Sequence, residues 1–577
     1  MKGSSNIWQD LVAIVFIGLI GFGLFLGAAP LFDWDEINFA ESAREMLVTG
    51  NFFQVQINYQ PFWEKPPLFF WMQALSMKVF GVNEFAARFP NALVGVVTLL
   101  ALYFTGLRWK DRAFARILVM FYTATMLPVV YFKSGIIDPA FNLFIFLGLV
   151  QIFQYDSSWM DDPDAAKQSA APWGAGGWIG IATLTKGPVA LLVAMLVYAA
   201  YKLVYHRFRL PWMGVLRFFV AWAIPVLGWY GIETFVHGWW FIDTFIQYQI
   251  ELFSQNVAGH AQPFYYHILV FLPGCFPMAA FVFRGMREKT DDVEETRMRT
   301  FMMIWFWVVL VLFSVVKTKI VHYASLLYFP AVFLAGHYAY QVWKSDRKLP
   351  WDVWLILGLG MLVWGVLPAF VNTFTGNLEE IRAAITDPHA KALLGVDAGW
   401  SGLEWIIGTL FLAGLLVNIW LLRSRQYAYA LALQVGLSLA FINGQYKVVV
   451  PKVAQHTQGA NMEFFSQLAG RDVYLMTFKY KSYLHYFYGQ AKPYDHPEGY
   501  DLWWMCNGEV DKDIYLSIKQ SKLNSELTDV VFHDFERLYA KGGFVFFRRK
   551  KSQTLQAASL STPENVNMSR VVEVTER

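Results

Sequence analysis

The chain has 577 residues, of which 56% are hydrophobic, 18% are aromatic and only 16% are charged. Soluble domains carry about 25% charged residues, so this composition predicts a membrane protein with some non-membrane mass. The formal net charge of +3 is too small and too dispersed for a nucleic-acid-binding protein. The two cysteines, Cys275 and Cys506, lie far apart, which argues against a disulfide framework.

The N-terminus begins with a short polar segment, MKGSSNIWQD, followed by the apolar stretch LVAIVFIGLIGFGLFLGAAP. At about 20 residues, this stretch is long enough to span a bilayer. A cleaved signal peptide is an alternative interpretation, because the end of the stretch is rich in glycine and alanine. The many apolar runs that follow favour a retained first helix.

Apolar runs of spanning length recur along most of the chain. They lie near 8–30, 88–108, 114–131, 139–155, 173–206, 211–231, 266–284, 300–316, 322–343, 352–372, 403–422 and 427–447. At roughly twenty residues each, they predict a mostly α-helical, polytopic membrane protein of about 13 transmembrane helices. The run at 173–206 counts as two helices, because Thr185-Lys186-Gly187-Pro188 can form a tight turn or a polar break.

Basic residues in the short connecting loops predict the orientation of these helices. They form five groups, at 108–116, 202–209, 284–299, 344–348 and 423–425. With a cytoplasmic N-terminus, every group lies on the cytoplasmic side, as the positive-inside rule requires. The outer side then receives the loops at 31–87, 132–138, 185–187, 232–265, 317–322 and 373–402, and everything after about residue 448.

The segment after residue 447 has a soluble composition. VYLMTFKYKSYLHYF predicts a strand and a turn, KDIYLSIKQ a strand or a short helix, and GGFVFFRRK a closing strand. We therefore expect a transmembrane domain at 1–447 and a small α/β domain at 448–550 on the outer side. The polar residues 551–577 predict a disordered tail.

Ionisable residues interrupt or border the apolar runs at a few positions, and all of them fall on the outer side. They are Asp35, Glu36, Glu64, Lys65, Asp138, Lys186, His260, Lys317, Lys319 and His322. Charges at membrane depth are costly and usually mark a functional cavity. Because all of these residues lie on one side of the membrane, they indicate a site formed by the outer loops, chiefly 31–87 and 232–265.

The acidic residues also have a structural interpretation. Asp35 can cap an amphipathic helix that runs to Gly50 along the membrane surface, with Glu36 favoured by the helix dipole. Asp138, directly before Pro139, can cap the span that follows.

The other ionisable residues have structural alternatives as well. Glu64 and Lys65 can form an interfacial ion pair, which contributes little energy. Long side chains can extend to the lipid headgroups, and those concerned are Lys186, Lys317 and Lys319. His260 can be an ordinary polar loop residue.

One chemical task unites these residues. Lys186, Lys317 and Lys319 would hold an anionic phosphate at the outer surface. Asp35 and Asp138 would supply carboxylates for an acceptor proton or for the positive charge that develops on a sugar carbon. Loop aromatics would shape a sugar or lipid pocket, and the candidates are Trp63, Trp239, Trp240 and Tyr265. Such a site is suited to moving a sugar from a membrane-anchored phosphate donor.

Several motifs occur in an order that is familiar from a known family. They are DE at 35–36 with AREM at 43–46, FWEKPPL at 62–68, GVNEFAARFP at 81–90, Asp138, LTKG at 184–187, HAQPF at 260–264 and FSVVKTKIVHY at 313–323. With them, the whole chain resembles the integral-membrane GT-C glycosyltransferases. The branch is that of dolichyl-phosphate-mannose protein mannosyltransferases and bacterial lipid A aminoarabinose transferases. The number of spans and the outer C-terminal domain are closer to the aminoarabinose transferases.

The resemblance implies roles for individual residues. Asp35 matches the acidic residue of the first outer loop that is central to catalysis in the family, and Glu36, the second residue of this acidic pair, is a further catalytic candidate. Asp138 matches a second acidic residue near that centre. Lys65 would bind the polyprenyl phosphate, and Tyr323 matches a tyrosine near the donor pocket.

Two further implications concern a metal and a sugar contact. Glu64 and His260 match a pair that can hold a divalent metal such as zinc, although two protein ligands alone make an incomplete site. Aminoarabinose transferases commonly have a tyrosine four residues after the first-loop aspartate, whereas this chain has Phe39. The identity of the sugar therefore does not follow from the resemblance.

The expected function is that of an inverting glycosyltransferase at the outer face of a bacterial inner membrane. It would move a sugar from a polyprenyl-phosphate-linked donor to an envelope lipid such as lipid A. A protein O-mannosyltransferase that acts on serine or threonine is the alternative within the same class. A lipid transporter or flippase would instead need polar residues at the bilayer midplane and on both sides. A non-catalytic scaffold whose tail binds envelope partners is the remaining alternative.

Overall fold

The computed structural model describes residues 2–205, 209–254, 262–524 and 531–552. Within these ranges the protein is mostly helical, as predicted, with a small mixed sheet near the C-terminus. The elements of the first half are α1 (Lys2–Gly23), α2 (Asp35–Thr49), β1 (Gln56–Ile57), β2 (Gln60–Pro61), α3 (Leu68–Phe80), α4 (Glu84–Trp109), α5 (Arg112–Ala124), α6 (Met126–Phe132), α7 (Asp138–Asp161), α8 (Pro163–Ala166), α9 (Ala171–Lys186), α10 (Val189–Val204), α11 (Trp212–Val226), α12 (Ile232–His237) and α13 (Trp240–Ser254).

The second half continues with helices and then forms the sheet. Its helices are α14 (Tyr266–Gly274), α15 (Ala279–Arg287), α16 (Val293–Val315), α17 (Tyr328–Lys344), α18 (Trp351–Met361), α19 (Leu367–Ala369), α20 (Val371–Gly376), α21 (Leu378–Ala384), α22 (Pro388–Leu394), α23 (Trp405–Arg423), α24 (Tyr427–Gly444), α25 (Val450–Ala454), α26 (Ala460–Ser466), α27 (Leu484–Tyr488) and α28 (Leu502–Asn507). Its strands are β3 (Tyr474–Phe478), β4 (Ile514–Lys519), β5 (Glu536–Lys541) and β6 (Phe544–Arg549).

Among the described residues, six helical segments are long and apolar enough to cross a membrane. They are Glu84–Trp109, Trp212–His237, Val293–Val315, Trp351–Gly376, Trp405–Arg423 and Tyr427–Ser466. Two helix pairs, α5 with α6 and α14 with α15, also meet this criterion as pairs, but they bend by 75° and 107°. The prediction of a polytopic helical membrane protein is confirmed at this level, with up to 8 such spans if each bent pair is one span.

Several predicted runs are not single straight helices. The runs at 114–131 and 266–284 are broken between α5 and α6 and between α14 and α15. The run at 322–343 begins its helix only at Tyr328, after a loop and a short 3₁₀ turn. Hydropathy does not reveal such breaks, because apolar residues continue through them. The helical segment from Tyr427 runs on to Ser466, so the domain boundary expected at 447/448 falls inside it.

The break inside the run at 173–206 is present, as predicted. α9 ends at Lys186 and α10 begins at Val189. Gly187 makes the turn with a φ of +97°, a conformation that residues with a side chain rarely adopt. A Cβ atom there would also lie 2.6 Å from Cζ of Phe245. The turn therefore fixes where α9 ends and where Lys186 stands.

Glu36 and Arg88 form a buried ion pair, with side chains that are 3% and 0% exposed. Oε1 of Glu36 accepts hydrogen bonds from Nε of Arg88 at 2.7 Å and from the backbone N–H of Gly135 at 2.6 Å. Oε2 accepts from Nη2 of Arg88 and from the N–H of Phe32, each at 2.8 Å. Glu36 therefore joins the loop before α2 to the loop before α7.

α2 differs from the expected helix on the membrane surface, because every residue from 36 to 46 is buried. Phe39 packs edge-on against Phe69 of α3, with ring centroids 6.2 Å apart. On the other side, Ala43 lies in an apolar cluster with Phe465 of the C-terminal segment. Two parts of the chain therefore pack on the helix from different sides. The apolar residues recur on one face of the helix in the sequence, and this pattern does not predict that the other face is also buried.

The C-terminal segment contains a four-stranded sheet in the order β3-β4-β6-β5. β3 and β4 are parallel, with Tyr474 opposite Ile514, while β6 is antiparallel to both β4 and β5. α27 and α28 lie in the connection between the two parallel strands. Three of the strands coincide with the predicted segments. β5 was not predicted, because all of its residues are exposed and its sequence shows no apolar alternation.

The C-terminal segment packs directly on the loop before α2. The backbone N–H of Tyr483 donates to Oδ1 of Asp33 at 3.3 Å, and the N–H of Leu31 donates to the hydroxyl of Tyr488 at 2.9 Å. The ring of Tyr483 also meets that of Trp34 edge-on, with centroids 6.3 Å apart. The first outer loop is therefore held by a part of the chain about 450 residues away in sequence.

Candidate active site

Asp35 and Asp138 begin α2 and α7, and the imidazole of His322 lies between them. Nε2 of His322 is 3.6 Å from Oδ2 of Asp35 and 3.7 Å from Oδ2 of Asp138. The Asp35 side chain is 36% exposed and that of Asp138 is 5% exposed. The N-cap positions are occupied by Trp34 and Ile137, so neither aspartate is an N-cap. Both stand in a first helical turn, where the helix dipole favours a negative charge.

Lys186, the last residue of α9, is paired with Asp138. Its Nζ is 2.6 Å from Oδ1 of Asp138 and 4.9 Å from the centroid of the Tyr323 ring. A positive charge at a helix C-terminus is favourable, so the two helix ends stabilise opposite charges that face each other. The loop that carries Tyr323 is fixed to α7, because Nδ2 of Asn142 donates to Oγ of Ser325 at 2.7 Å.

Glu64 and Lys65 face Tyr248 of α13. The Tyr248 hydroxyl donates to Oε2 of Glu64 at 3.0 Å, and Nζ of Lys65 lies 5.5 Å from the centroid of the Tyr248 ring. Nζ of Lys65 is 3.9 Å from Oε2 of Glu64, a distance too long for a hydrogen bond. The ion pair is therefore loose, and Lys65 retains donors for another anion.

These two groups of residues act on each other electrostatically. Burial lowers the pKa of Lys65, whereas the negative charges of Glu64, Asp35 and Asp138 act to raise it. Burial raises the pKa of Tyr248, and the charges of Glu64 and Asp35 raise it further. Glu64, Lys65, Asp35 and Asp138 therefore belong to one site, although they come from the first outer loop and from the start of α7.

Glu36 was expected among the catalytic residues, and the structure gives it a different place. Both of its carboxylate oxygens already accept hydrogen bonds, and its side chain is almost fully buried against Arg88. It connects the backbone before Asp35 with the backbone before Asp138. Glu36 is therefore a positioning residue for the two aspartates and does not face the site.

Lys317 and Lys319 were expected beside Lys186 as phosphate ligands. Lys317 is exposed and Lys319 is 5% exposed, both in the loop after α16. Among the contacts of the described residues, none joins either lysine to Asp35, Asp138 or Glu64. Their role as phosphate ligands stays a prediction.

The predicted metal pair falls partly outside the described residues, because His260 lies between residues 254 and 262. In the ranges that the structure describes, no three histidine, cysteine or acidic side chains lie together as metal ligands would. Glu64 already accepts from Tyr248, and one described carboxylate does not make a zinc site.

The sequence interpretation gave no role to two residues of this site. His322 stood among the ionisable residues of the outer side, one position before Tyr323 in the matched motif FSVVKTKIVHY. Its place in that motif could have identified His322 as a candidate site residue. Tyr248 was one of many aromatic residues in the loop predicted at 232–265, and nothing in its local sequence distinguishes it.

Comparisons with known proteins show which proteins this chain is similar to. Residues 64–229 match the family model described as dolichyl-phosphate-mannose-protein mannosyltransferase. An undecaprenyl phosphate-alpha-4-amino-4-deoxy-L-arabinose arabinosyl transferase from Enterobacter sp. (strain 638) is 25% identical over 64% of this chain and 68% of that protein. A transferase of the same description from Proteus mirabilis (strain HI4320) is 25% identical over 76% of each chain.

The fold has a counterpart among solved structures. The crystal structure of ArnT from Cupriavidus metallidurans bound to undecaprenyl phosphate superposes with a TM-score of 0.72, at 18% identity, over 96% of this chain and 99% of that one. The apo structure of the same protein gives a TM-score of 0.69, at 19% identity, over 94% and 98%. The resemblance to the aminoarabinose transferase branch of the GT-C enzymes, inferred from the motifs, is confirmed.

Proposed function

We propose that this chain, similar in sequence and fold to aminoarabinose transferases, is an inverting glycosyltransferase. It moves a sugar from a polyprenyl-phosphate-linked donor to an envelope lipid of the lipid A type. The observation that carries the proposal is the cluster of Asp35, His322, Asp138 and Lys186, with Lys65 beside it. It combines carboxylates suited to a developing oxocarbenium charge with cations suited to a phosphate leaving group.

The lysines serve the donor. In the transfer step the bond between the anomeric carbon and the donor phosphate oxygen breaks, and its electron pair leaves with the polyprenyl phosphate. Lys65, whose pairing with Glu64 is loose, binds that phosphate, and Lys186 stands near it. Both cations stabilise the negative charge that grows on the leaving group.

Asp35 serves the acceptor side. The acceptor oxygen forms the new bond to the anomeric carbon from the face opposite the leaving phosphate. A phosphate acceptor is already ionised, and Asp35 then orients it and stabilises positive charge at the sugar carbon. With a hydroxyl acceptor, Asp35 takes the proton as the attack occurs. Its 36% exposed side chain is accessible for either role.

The location follows from the same proposal. The protein lies in a bacterial inner membrane with about thirteen spans of roughly twenty residues, a cytoplasmic N-terminus and a periplasmic C-terminal α/β domain. The basic loops support this orientation, since the positive-inside rule places them in the cytoplasm. The first outer loop and the C-terminal segment then share the periplasmic side, in agreement with the contacts of Tyr483 with Asp33 and Trp34.

Two alternatives make different predictions. A protein O-mannosyltransferase is favoured by the family model that matches residues 64–229, and it would label a serine or threonine peptide instead of a lipid. A lipid flippase would move the donor lipid across the membrane and would not need Asp35 as a reacting group.

The test is Asp35→Asn in the full-length protein, purified and supplied with an undecaprenyl-phosphate-linked radiolabelled sugar and lipid A. We expect wild-type protein to label lipid A and the variant to leave it unlabelled, while both elute as folded monodisperse protein. Asp291→Asn, an exposed carboxylate in another loop, is the control and should label as wild type. Retained transfer by Asp35→Asn would overturn the mechanism, and label on a peptide alone would favour the protein acceptor.

A further inference from the structure

Lys481 of the C-terminal segment stands beside the loop that carries Asp35. Its Nζ lies 5.0 Å from the centroid of the Trp34 ring and 5.5 Å from that of Tyr483, so two aromatic faces hold the ammonium group. Trp34 directly precedes Asp35 and is itself 36% exposed. The cation therefore borders the open side of the site.

The C-terminal segment is fixed in this place. The backbone N–H of Tyr483 donates to Asp33, two residues before Asp35. Burial raises the pKa of Tyr483, and the negative charges of Glu64, Asp33 and Asp35 raise it further, which places Tyr483 close to the site carboxylates. A segment from the far end of the chain thus forms one wall of the site.

The cations around Asp35 divide into two kinds. Lys186 is paired with Asp138, and Lys65 faces Glu64, on the side assigned to the donor phosphate. Lys481 is exposed, and among the described residues no carboxylate lies within ion-pair distance of its Nζ. It contacts only aromatic rings there, so its charge is available to a ligand.

We propose that Lys481 binds a phosphate of the acceptor and holds it on the Trp34 side of Asp35. The inference rests on the proposed function and adds to it the residue of the C-terminal segment that binds the acceptor. A phosphate that approaches Asp35 is repelled by the carboxylate, and a cation on the same side offsets that repulsion. Trp34, which is 36% exposed, supplies an apolar face on which a sugar ring of the acceptor can stack.

The test measures binding to the full-length protein in detergent without any sugar donor. The ligands are lipid A with its phosphates, the same lipid A after phosphatase treatment, and undecaprenyl phosphate. The variants are Lys481→Ala, Lys481→Arg and, as a control, Lys492→Ala. Lys492 is an exposed lysine of the same segment, next to Ala491, whose carbonyl oxygen accepts from Arg44 near the other end of α2.

We expect Lys481→Ala to weaken binding of phosphorylated lipid A by roughly 5- to 10-fold, as for the loss of one charged contact. Its binding of dephosphorylated lipid A and of undecaprenyl phosphate should be unchanged. Lys481→Arg should keep most of the affinity, and Lys492→Ala should match wild type. Equal affinity of wild type and Lys481→Ala for phosphorylated lipid A would overturn the inference, as would no preference of wild type for the phosphorylated form. Failure of the proposed function is seen separately, as no binding of undecaprenyl phosphate.

Discussion

Glu36→Gln is expected to destabilise the protein and to impair transfer, although Glu36 is buried against Arg88 and does not face the candidate site. The change keeps the shape of the side chain and removes its charge. Arg88, which is 0% exposed, then carries an unpaired positive charge. Besides the amide oxygen of the glutamine, it keeps three backbone carbonyl oxygens as acceptors, those of Leu26 and Ala29 bonded to Nη1 and that of Pro30 bonded to Nη2.

The magnitude follows from the contacts of the carboxylate. Both oxygens of Glu36 accept two N–H donors each, from Arg88 twice and from Gly135 and Phe32 once. A glutamine offers one oxygen and turns its NH₂ group toward two of these donors, which leaves them unsatisfied. Removing one partner of a buried ion pair costs about 3 to 5 kcal/mol. Because the three carbonyl oxygens still solvate Arg88, we expect a loss of about 3 kcal/mol, at the lower end of that range.

The assay is thermal unfolding of the purified protein in detergent, followed by intrinsic tryptophan fluorescence. Glu379→Gln is the control, because the Glu379 side chain is 84% exposed. We expect a clear fall of the midpoint for Glu36→Gln and none for the control. Transfer should fall even below the unfolding temperature, because the loops before Asp35 and Asp138 lose their common anchor. An unchanged midpoint would refute the assignment of Glu36 as a structural anchor, and lost transfer at full stability would return it to the catalytic residues.

Three further predictions concern other parts of the site. His322→Gln should lower transfer by about 10- to 100-fold and leave undecaprenyl-phosphate binding intact, because the imidazole lies between the two aspartates; transfer at the wild-type rate would exclude a role for it. Gly187→Ala should destabilise the protein by about 1 to 3 kcal/mol, because the residue has a positive φ and its new Cβ atom would lie against Phe245. The control is Gly177→Ala in α9, which has open space around it and should be neutral or stabilising in the same unfolding assay. If Glu64 and His260 hold zinc, elemental analysis of purified protein should find about one zinc per chain, lost in His260→Ala; active wild-type protein without zinc would contradict the predicted metal pair.

The sequence predicts the general architecture well, because its signals are local. Bilayer-spanning runs, the turn at Gly187 and three strands of the sheet can be read from short windows, and the matched motifs bring Asp35, Asp138 and Lys65 into one site. Most of the missing features are long-range. The burial of α2 depends on a segment more than 400 residues away, and the bend between α5 and α6 is not visible in a run that stays apolar throughout.

His322 and Tyr248, the two site residues without a predicted role, show in different ways that long-range contacts cannot be predicted from local sequence. His322 carried a local signal, its place in a matched motif, but its position between two aspartates needs three separate segments to meet. Tyr248 carried no such signal, since its function as a donor to Glu64 depends on how α13 folds back over the first outer loop. Aromatic residues are frequent in this chain, and only the three-dimensional structure shows which of them contacts Glu64.

The stretch Asp33-Trp34-Asp35-Glu36 explains how a loop can hold a reacting group in place. Asp33 is bound by the backbone of Tyr483 from the C-terminal segment, and Glu36 is bound by Arg88 from the membrane helices. Asp35, between them, is the residue whose carboxylate points toward His322. Its neighbours are anchored on the C-terminal segment and on the membrane helices, so the position of Asp35 depends on both parts of the chain. A change that loosens the C-terminal segment from the first outer loop should therefore lower transfer through Asp35, even though we propose that the donor phosphate binds elsewhere, at Lys65.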